Sequence, residues 1–553
     1  MTIDWVEWGD EAFARCQALG KPMLLSLTAR WCHACHRMEA ETWDDPGVAA
    51  AVERATVPVR VDADARPDVY GRYHLGGLPT TALLAPDGEF VRGGTFLSPP
   101  QFFAFLEAAL GDFRAGRRPG RRPPPPPRGP ASLVDEVVAR LVRRADVEHG
   151  GFGQAPKQAE VEALGLLLGR WRSTADGTLP RILRATLDAI VEHLSDPRDG
   201  GFFRYAAAAD WSGPHTEKVA VDQARVTRLL LEAGSALAEP RYIESSRQSL
   251  AHARRRLADQ QGRVFASVAA DPEYYATTGP ADDLPVVDRR RFADASAAMV
   301  GAAWLGFAVT AEAPGFQPEF RAAAPDGIIP HQLDERESVC GLLRDQALAI
   351  DATLMEYRLS GDAELLGWAR RAAEWSIAHL WDESTRAFRA APAAAGGAVK
   401  LPPMFPLLGN GEMAMALIGL AAHTGRVEYR RHAEELVEAL SPQAVISPVG
   451  PAVALAAQWL EDKPAEADLH GDPADTRSGD LARAVIAAMG PATVVRWQGG
   501  AGPSVVLCLR DLCLPPLEDP RALLQSLVDL DLAPGGILSF RSSSQRTGNE
   551  EAS

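Results

Sequence analysis

Residues 22–38 read PMLLSLTARWCHACHRM. The first seven form a short apolar run suited to a buried strand. Trp31, Cys32, His33, Ala34, Cys35 and His36 follow directly, and a helix-compatible pattern continues to about Trp43. Three chemistries compete for the cysteines. Cys-x-x-Cys is a dithiol motif, and Cys-x-x-Cys-His also attaches c-type haem. On a helix, Cys32, Cys35 and His36 fall near one face that zinc accepts, with His33, His74 or water as a fourth ligand. Haem attachment accompanies export, and "MTIDWVEWGDEAF" lacks the basic-then-apolar pattern of an export signal. A thiol pair at a helix start favours the dithiol, because helix-start amides and the dipole stabilise thiolate. Cys32 is then the exposed attacking sulfur and Cys35 the resolving one, with His33 or His36 able to support thiolate as imidazolium. No metal and no cofactor is expected.

Outward from this stretch, strands and helices alternate. "ATVPVRVDAD" (55–64) is a β-branched strand and "PDVYGRYHL" (67–75) a short helix. Gly76-Gly77-Leu78-Pro79-Thr80 follows, with Pro79 a candidate cis proline packed against the sulfurs. Pro86-Asp87-Gly88 closes a hairpin, and "SPPQFFAFLEAAL" (98–110) is a capped amphipathic helix. With Trp31, this set resembles the thioredoxin fold over residues 1–112. Two departures stand out. Ser26 occupies the position where thioredoxins carry a buried acid, and His33-Ala34 replaces Gly-Pro between the cysteines.

"RAGRRPGRRPPPPPRGP" (114–130) cannot build a core and reads as a linker spanning 113–130. Residues 131–465 then carry about a dozen segments with apolar spacing near 3.6. Gly150-Gly151-Phe152-Gly153 recurs as Gly200-Gly201-Phe202-Phe203, with a worn copy at "WDESTRAFRA" (381–390). Aromatic-glycine turns between successive helical hairpins point to an (α/α)6 toroid. Residues 466–540 form a small α/β segment completing or packing on it. Cys508 and Cys513 read as buried free thiols, and 541–553 as a disordered tail. The fold class is therefore multidomain α/β plus all-α.

A net charge of −16, from 57 basic and 73 acidic residues, argues against nucleic-acid and anionic-membrane partners. Six cysteines make no disulfide framework, so a reducing, cytoplasmic location is expected. No uninterrupted apolar run reads as a membrane span.

The motifs together resemble the YyaL and spermatogenesis-associated thioredoxin-like family. Its Cys-His-x-Cys-His-x-Met is matched by Cys32 to Met38, and its Gly-Gly-Phe-Gly-x-Ala-Pro-Lys by Gly150 to Lys157. Gly-Gly-Phe-Phe-Arg-Tyr stands at 200–205, and Asp-Trp-x-x-Pro-His-x-Glu-Lys at Asp210 to Lys218, then Asp222-Gln223-Ala224. Gly409-Asn410 matches a later Gly-Asn, whereas Asp282-Asp283 lacks the family's following Lys and Trp-Asn-Gly. The resemblance implies a thioredoxin-like domain fused to a six-hairpin, glycosidase-like barrel. Candidate residues for binding a sugar-like ligand in that barrel are Lys157, His215, Glu217, Lys218, Asp222, Asp282, Asp283, Asp345 and Asn410. Three functions compete. The first is thiol–disulfide exchange or redox sensing at Trp31, Cys32, His33, Cys35, His36 and Pro79, with a disulfide-bearing protein or a reductase as partner. The second is a sugar hydrolase or epimerase, which needs paired acid–base groups. The third is a non-catalytic scaffold.

Overall fold

Strand β2 (Met23–Thr28) has five of its six residues buried because helices cover both faces of its sheet. In this computed structural model, which describes residues 2–119, 133–276, 284–393, 399–500, 502–510 and 512–530, the chain divides into two units. Of the described residues, the first unit holds 2–119 together with 267–276, 284–288, 389–393 and 399–406. Its elements are β1 (Val6–Glu7), α1 (Asp10–Leu19), β2, α2 (His33–Met38), α3 (Pro46–Ala55), β3 (Val57–Asp62), α4 (Pro67–Tyr73), β4 (Thr80–Leu84), β5 (Phe90–Gly94) and α5 (Pro99–Arg114). The sheet order is β1-β3-β2-β4-β5, parallel among the first three strands and antiparallel beyond. Leu24, Trp43, Leu83 and Phe102 pack on one face, and Phe13, Leu25, Val59 and Tyr73 on the other.

Two stretches inside the range expected for the barrel belong to this unit instead. Val399 and Leu401 pack against the second face, and Arg72 donates to the Pro402 carbonyl (2.7 Å). Ser267–Val268 pairs antiparallel with Val287–Asp288. The apolar residues at 399 and 401 complete a core that local reading leaves half covered.

The second unit is a ring of helical hairpins. Outer helices α6 (Leu133–Arg144), α8 (Leu179–Ala189), α10 (Pro240–Arg256), α12 (Glu319–Ala323), α14 (Ala363–Leu380) and α16 (Val427–Ile446) alternate with inner helices. The inner six are α7 (Val161–Thr174), α9 (Ala220–Ala236), α11 (Ala293–Thr310), α13 (Leu343–Ser360), α15 (Leu407–Thr424) and α17 (Pro451–Glu461). Each inner helix touches the next, and α17 returns to α7, so the ring closes. Helix α11 is long and apolar enough by composition to cross a membrane, but its residues are mostly buried as a member of this ring. A C-terminal layer of strands Glu466–His470, Val494–Gln498 and Ser504–Leu509 with α18 (Thr476–Met489) packs on Leu231, Leu305, Met355 and Leu359 of the inner helices. Cys508 and Cys513, expected as buried free thiols, are joined in a disulfide across adjacent strands, and Cys513 is exposed. The expected linker (from 120) and tail (541–553) lie outside the described residues.

The glycine motifs are the turns from outer to inner helices. Asp146, Asp196, Asp259 and Asp382 each accept a backbone N–H from two or three residues ahead. The chain then bridges back at Ala145–Phe152, Ser195–Phe202, Ala258–Val264 and Trp381–Phe388. The copy at 258–264 keeps one glycine and no phenylalanine, which hid it from the sequence. At Gly151 the backbone has φ +79°, and a Cβ would sit 2.8 Å from the Trp211 ring, so only glycine fits.

One turn carries a pH response. His252, buried at the second turn, bonds through Nδ1 with the Asp199 carbonyl (2.8 Å). Burial and then the Lys218 charge, with Arg256 and Arg255 adding, push its pKa down to about 3. An unfolded histidine titrates near 6.5, so between about pH 6.5 and 3 the unfolded chain takes up a proton that folded His252 refuses. Stability therefore falls as pH drops through that window. Urea midpoints of the toroid at pH 7 and 4.5 check this: His252→Gln is expected to shrink the difference, and an unchanged difference rejects the assignment.

Candidate functional site

The thiol site is built where β2 ends. Leu27 pairs with Thr80, so Pro79 stands next to the strand end from which the cysteine loop departs. The Leu78–Pro79 peptide is cis. Cys32 is the N-cap of α2, in extended conformation, and its sulfur accepts the Cys35 N–H (3.2 Å). Cys32 and Cys35 are joined as a disulfide. His33 and His36 are exposed on either side of buried Cys35. Trp31, buried, donates Nε1–H to Asp64 at 3.1 and 3.0 Å. The carboxylate missing from position 26 thus arrives near the motif from the turn after β3, on the tryptophan. Asp64 carries no local signal for this role, because it reaches Trp31 from thirty-three residues downstream rather than along β2.

The expectation of an exposed attacking sulfur is corrected: Cys32 is 4% exposed. Ala270 donates its N–H to the Trp31 carbonyl (3.2 Å), and Arg30 pairs with Asp288 (3.6 Å). Both partners come from a segment more than two hundred residues downstream, beyond any local pattern.

In the toroid, the expected residues divide. Three are turn locks, which corrects their reading as cavity lining. Lys157 Nζ donates to Asp146 (2.7 Å) and to the carbonyls of Gly150 (2.8 Å) and Gly153 (2.9 Å). Burial raises the Asp146 pKa, but that ammonium and the backbone amides of residues 148 and 149 outweigh it, holding the carboxyl down at about 2. Lys218 Nζ repeats the device on Asp196 (2.5 Å) and Gly200 (2.7 Å). Asn410 accepts the Phe388 N–H (2.8 Å) and donates to its carbonyl (2.9 Å), as Gln223 does for Phe202 (2.7 and 2.5 Å). These side chains bond the backbone and the aspartates of the turns themselves.

His215, Glu217 and Asp222 are brought together instead. Arg204 lies 3.9 Å from Glu217 and 3.5 Å from Asp222, and His215 lies 4.0 Å from Glu217 and stacks on Tyr205. Asp345 holds His331 Nδ1 at 3.0 Å, both buried, and with Asp294 they form a group whose ligand atoms lie within 4.8 Å. None of these residues lines the cavity described next. Asp282 and Asp283 lie outside the described residues.

A cavity of about 370 Å³ runs within the ring, lined by residues that sequence reading missed. Glu162, Gly165, Gly169 and Arg172 form one stripe on α7, about 15 Å long at 1.5 Å per residue. Arg225, Arg228 and Glu232 face it from α9, Asp351 from α13, Glu412 and His423 from α15. Arg225 pairs with Glu162, Arg344 with Glu412 (3.2 Å), and Arg228 with both Asp351 and Glu232 (3.3 Å). Burial raises every one of these carboxyls. At Glu162 and Asp351 the partner arginine overrides it and lowers the pKa, whereas at Glu232 and Glu412 burial wins and the pKa stays raised. The cavity therefore pairs ionised carboxylates with groups that hold a proton more readily, the division acid–base chemistry uses. His423 Nδ1–H donates to the Gly419 carbonyl (2.7 Å) and Nε2 accepts the Val495 N–H (3.3 Å), and burial, then Arg358, depress its pKa to about 3, leaving it neutral. On α9 the sequence carries a local signal for this site, Arg225, Arg228 and Glu232 recurring three and four apart, but the other lining charges sit on other elements with no shared spacing.

Residues 1–107 match the family model described as Thioredox_DsbH, a protein of unknown function, DUF255. Human spermatogenesis-associated protein 20 is 27% identical over 308 residues, 49% of this chain and 39% of that protein, so the match spans about two fifths of the relative. Thiol:disulfide interchange protein DsbD of Cronobacter sakazakii is 34% identical over 103 residues, 18% of either chain. A solved sugar epimerase from a ruminal bacterium aligns with 56% of this chain and 86% of its own, at 11% identity and a TM-score of 0.46. The N-terminal unit is thus a thioredoxin-like domain of the DsbH/DUF255 type, joined in this chain to a closed toroid of six helical hairpins, with a resemblance to spermatogenesis-associated protein 20.

Proposed function

We propose that the chain is a thiol–disulfide oxidoreductase acting on a disulfide-bearing protein, in the cytoplasm. The carrying observation is Cys32 at the helix cap, its sulfur on the Cys35 amide and bonded to Cys35. In the reduced state, Cys32 thiolate attacks one sulfur of the partner's disulfide, and the other partner sulfur leaves as thiolate. Cys35 thiolate then attacks Cys32 Sγ, expelling the second partner thiolate and closing Cys32–Cys35. Two electrons pass to the partner, whose two thiolates each take a proton, and an external dithiol restores the pair. The helix-start amides favour the thiolate form of Cys32. Burial of Cys32 means that a partner reaches it only when its cover shifts. Insulin reduction by the full chain with a dithiol donor tests this. Cys32→Ser is expected to fall to the uncatalysed background, and Cys35→Ser to accumulate a mixed disulfide; undiminished turnover in Cys32→Ser rejects the proposal.

A second reading, sugar hydrolysis or epimerisation in the toroid, is favoured by the divided carboxyl pairs. It assigns Glu412 or Glu232 as acid and Glu162 or Asp351 as base. Sugar turnover unaffected by both Glu412→Gln and Glu232→Gln would discard it.

A further inference from the structure

The two ends of the cavity differ in charge. At the Glu162 end, each arginine meets a carboxylate, Arg225 on Glu162 and Arg344 on Glu412. Ten residues along α7, the other end holds three guanidiniums, Arg172, Arg228 and Arg358, against Asp351 and Glu232. Arg228 takes both of those acids. Arg172 lines the cavity and bonds through Nη1 to the Met489 carbonyl (3.4 Å). Glu232 acts on it electrostatically, with no ion pair closing between them among the described residues. Gly490, at φ +88°, leaves room for it: a Cβ there would lie 2.8 Å from Nη1.

Arg358 stands just behind the wall. It is 1% exposed, its Nη2 lies 3.3 Å from where a Cβ of cavity-lining Gly419 would be, and its charge acts on Asp351 and His423. Its Nε and Nη1 have no hydrogen-bond partner among the described residues. A buried guanidinium so poor in acceptors leaves a positive field that an anion in the adjoining cavity would neutralise. His423 is neutral and adds no negative charge, and Asp462, which also lines the cavity, is offset by the charge of Arg510.

We infer that this end of the cavity seats the anionic group, carboxylate or phosphate, of a small organic molecule, with Arg172 as its direct partner and Arg358 supplying the field behind it. A guanidinium suits either anion because its fork gives two parallel hydrogen bonds. The volume accommodates a molecule of monosaccharide size. This inference is independent of the thiol chemistry.

Calorimetric titration of the full chain with D-glucuronate, D-glucose 6-phosphate, inorganic phosphate and D-glucose tests it. Glucuronate or glucose 6-phosphate is expected to bind at least tenfold more tightly than glucose, and which of the two binds identifies the anion. Arg172→Gln is expected to weaken that binding at least tenfold, with Arg172→Lys in between, and circular dichroism confirming that the variants fold. Arg358→Gln is expected to weaken that binding less than Arg172→Gln; should it fail to fold, the Arg172 pair alone decides. Equal binding of glucose and the charged probes, binding of none of them, or unchanged affinity in Arg172→Gln overturns the inference.

Discussion

Asp196→Ala is expected to destabilise the toroid by about 3–5 kcal/mol, the range for removing one partner of a buried ion pair. Lys218 and Asp196 have side chains with 0% exposure, and the ammonium also bonds to the Gly200 carbonyl (2.7 Å). Without the carboxylate, a desolvated cation remains beside Arg256 and His252, whose own pKa Lys218 already depresses. Burial lowers the Lys218 pKa and Asp196 pulls it back up, so Asp196→Ala also drives Lys218 toward neutrality. The variant therefore loses stability most at neutral pH and less at high pH. The double replacement Asp196→Leu with Lys218→Met is expected to recover much of the loss, because it leaves no uncompensated charge. Urea unfolding followed by a probe in the toroid checks both, since a two-unit chain need not unfold in one step. A loss below about 1 kcal/mol would show that the pair is not the lock of this turn. Insulin reduction by the folded variant should be unchanged.

Asn410→Ala is expected to cost about 2–6 kcal/mol and to leave any ligand binding of the folded protein intact. Asn410 is fully buried and satisfies both the N–H and the C=O of Phe388, and each backbone group left unpaired in the interior costs about 1–3 kcal/mol. Asn410→Asp separates the halves: its carboxylate still accepts from the Phe388 N–H but repels the carbonyl, so it should fall between wild type and alanine. Gln223→Ala, at the equivalent place in the second turn, should behave alike. Thermal melts of the four proteins decide. A stable Asn410→Ala that instead loses affinity for a cavity ligand would restore the residue to the site from which its hydrogen bonds remove it.

Much of the molecule was legible along the chain. The apolar run at 22–28 with the cysteine pair after it specifies strand, cap and helix through local contacts alone, and Pro86-Asp87-Gly88 specifies its hairpin, where Asp87 accepts the Glu89 N–H (3.0 Å). The 3.6-residue apolar spacing specifies hairpins because a helix face with nothing to cover it is unstable, and glycine-aromatic turns at regular intervals specify their repetition. What each polar residue of those turns does was not legible. Lys157, Lys218 and Asn410 look like ligand-binding groups in a motif, and only the folded turn shows that backbone carbonyls and an aspartate consume them.

The chain's own pattern determined the thiol pair, its helix cap and the succession of inner and outer helices, since these depend on neighbours within a few residues. Tertiary structure alone decided the rest. It brought Ala270 and Asp288 to the cysteine loop, returned α17 to α7, and aligned Glu162, Arg172, Arg228, Asp351 and Glu412 around one cavity. Contacts between residues hundreds of positions apart carry no periodic signature, because their pairing is set by how closed surfaces fit rather than by spacing along the backbone.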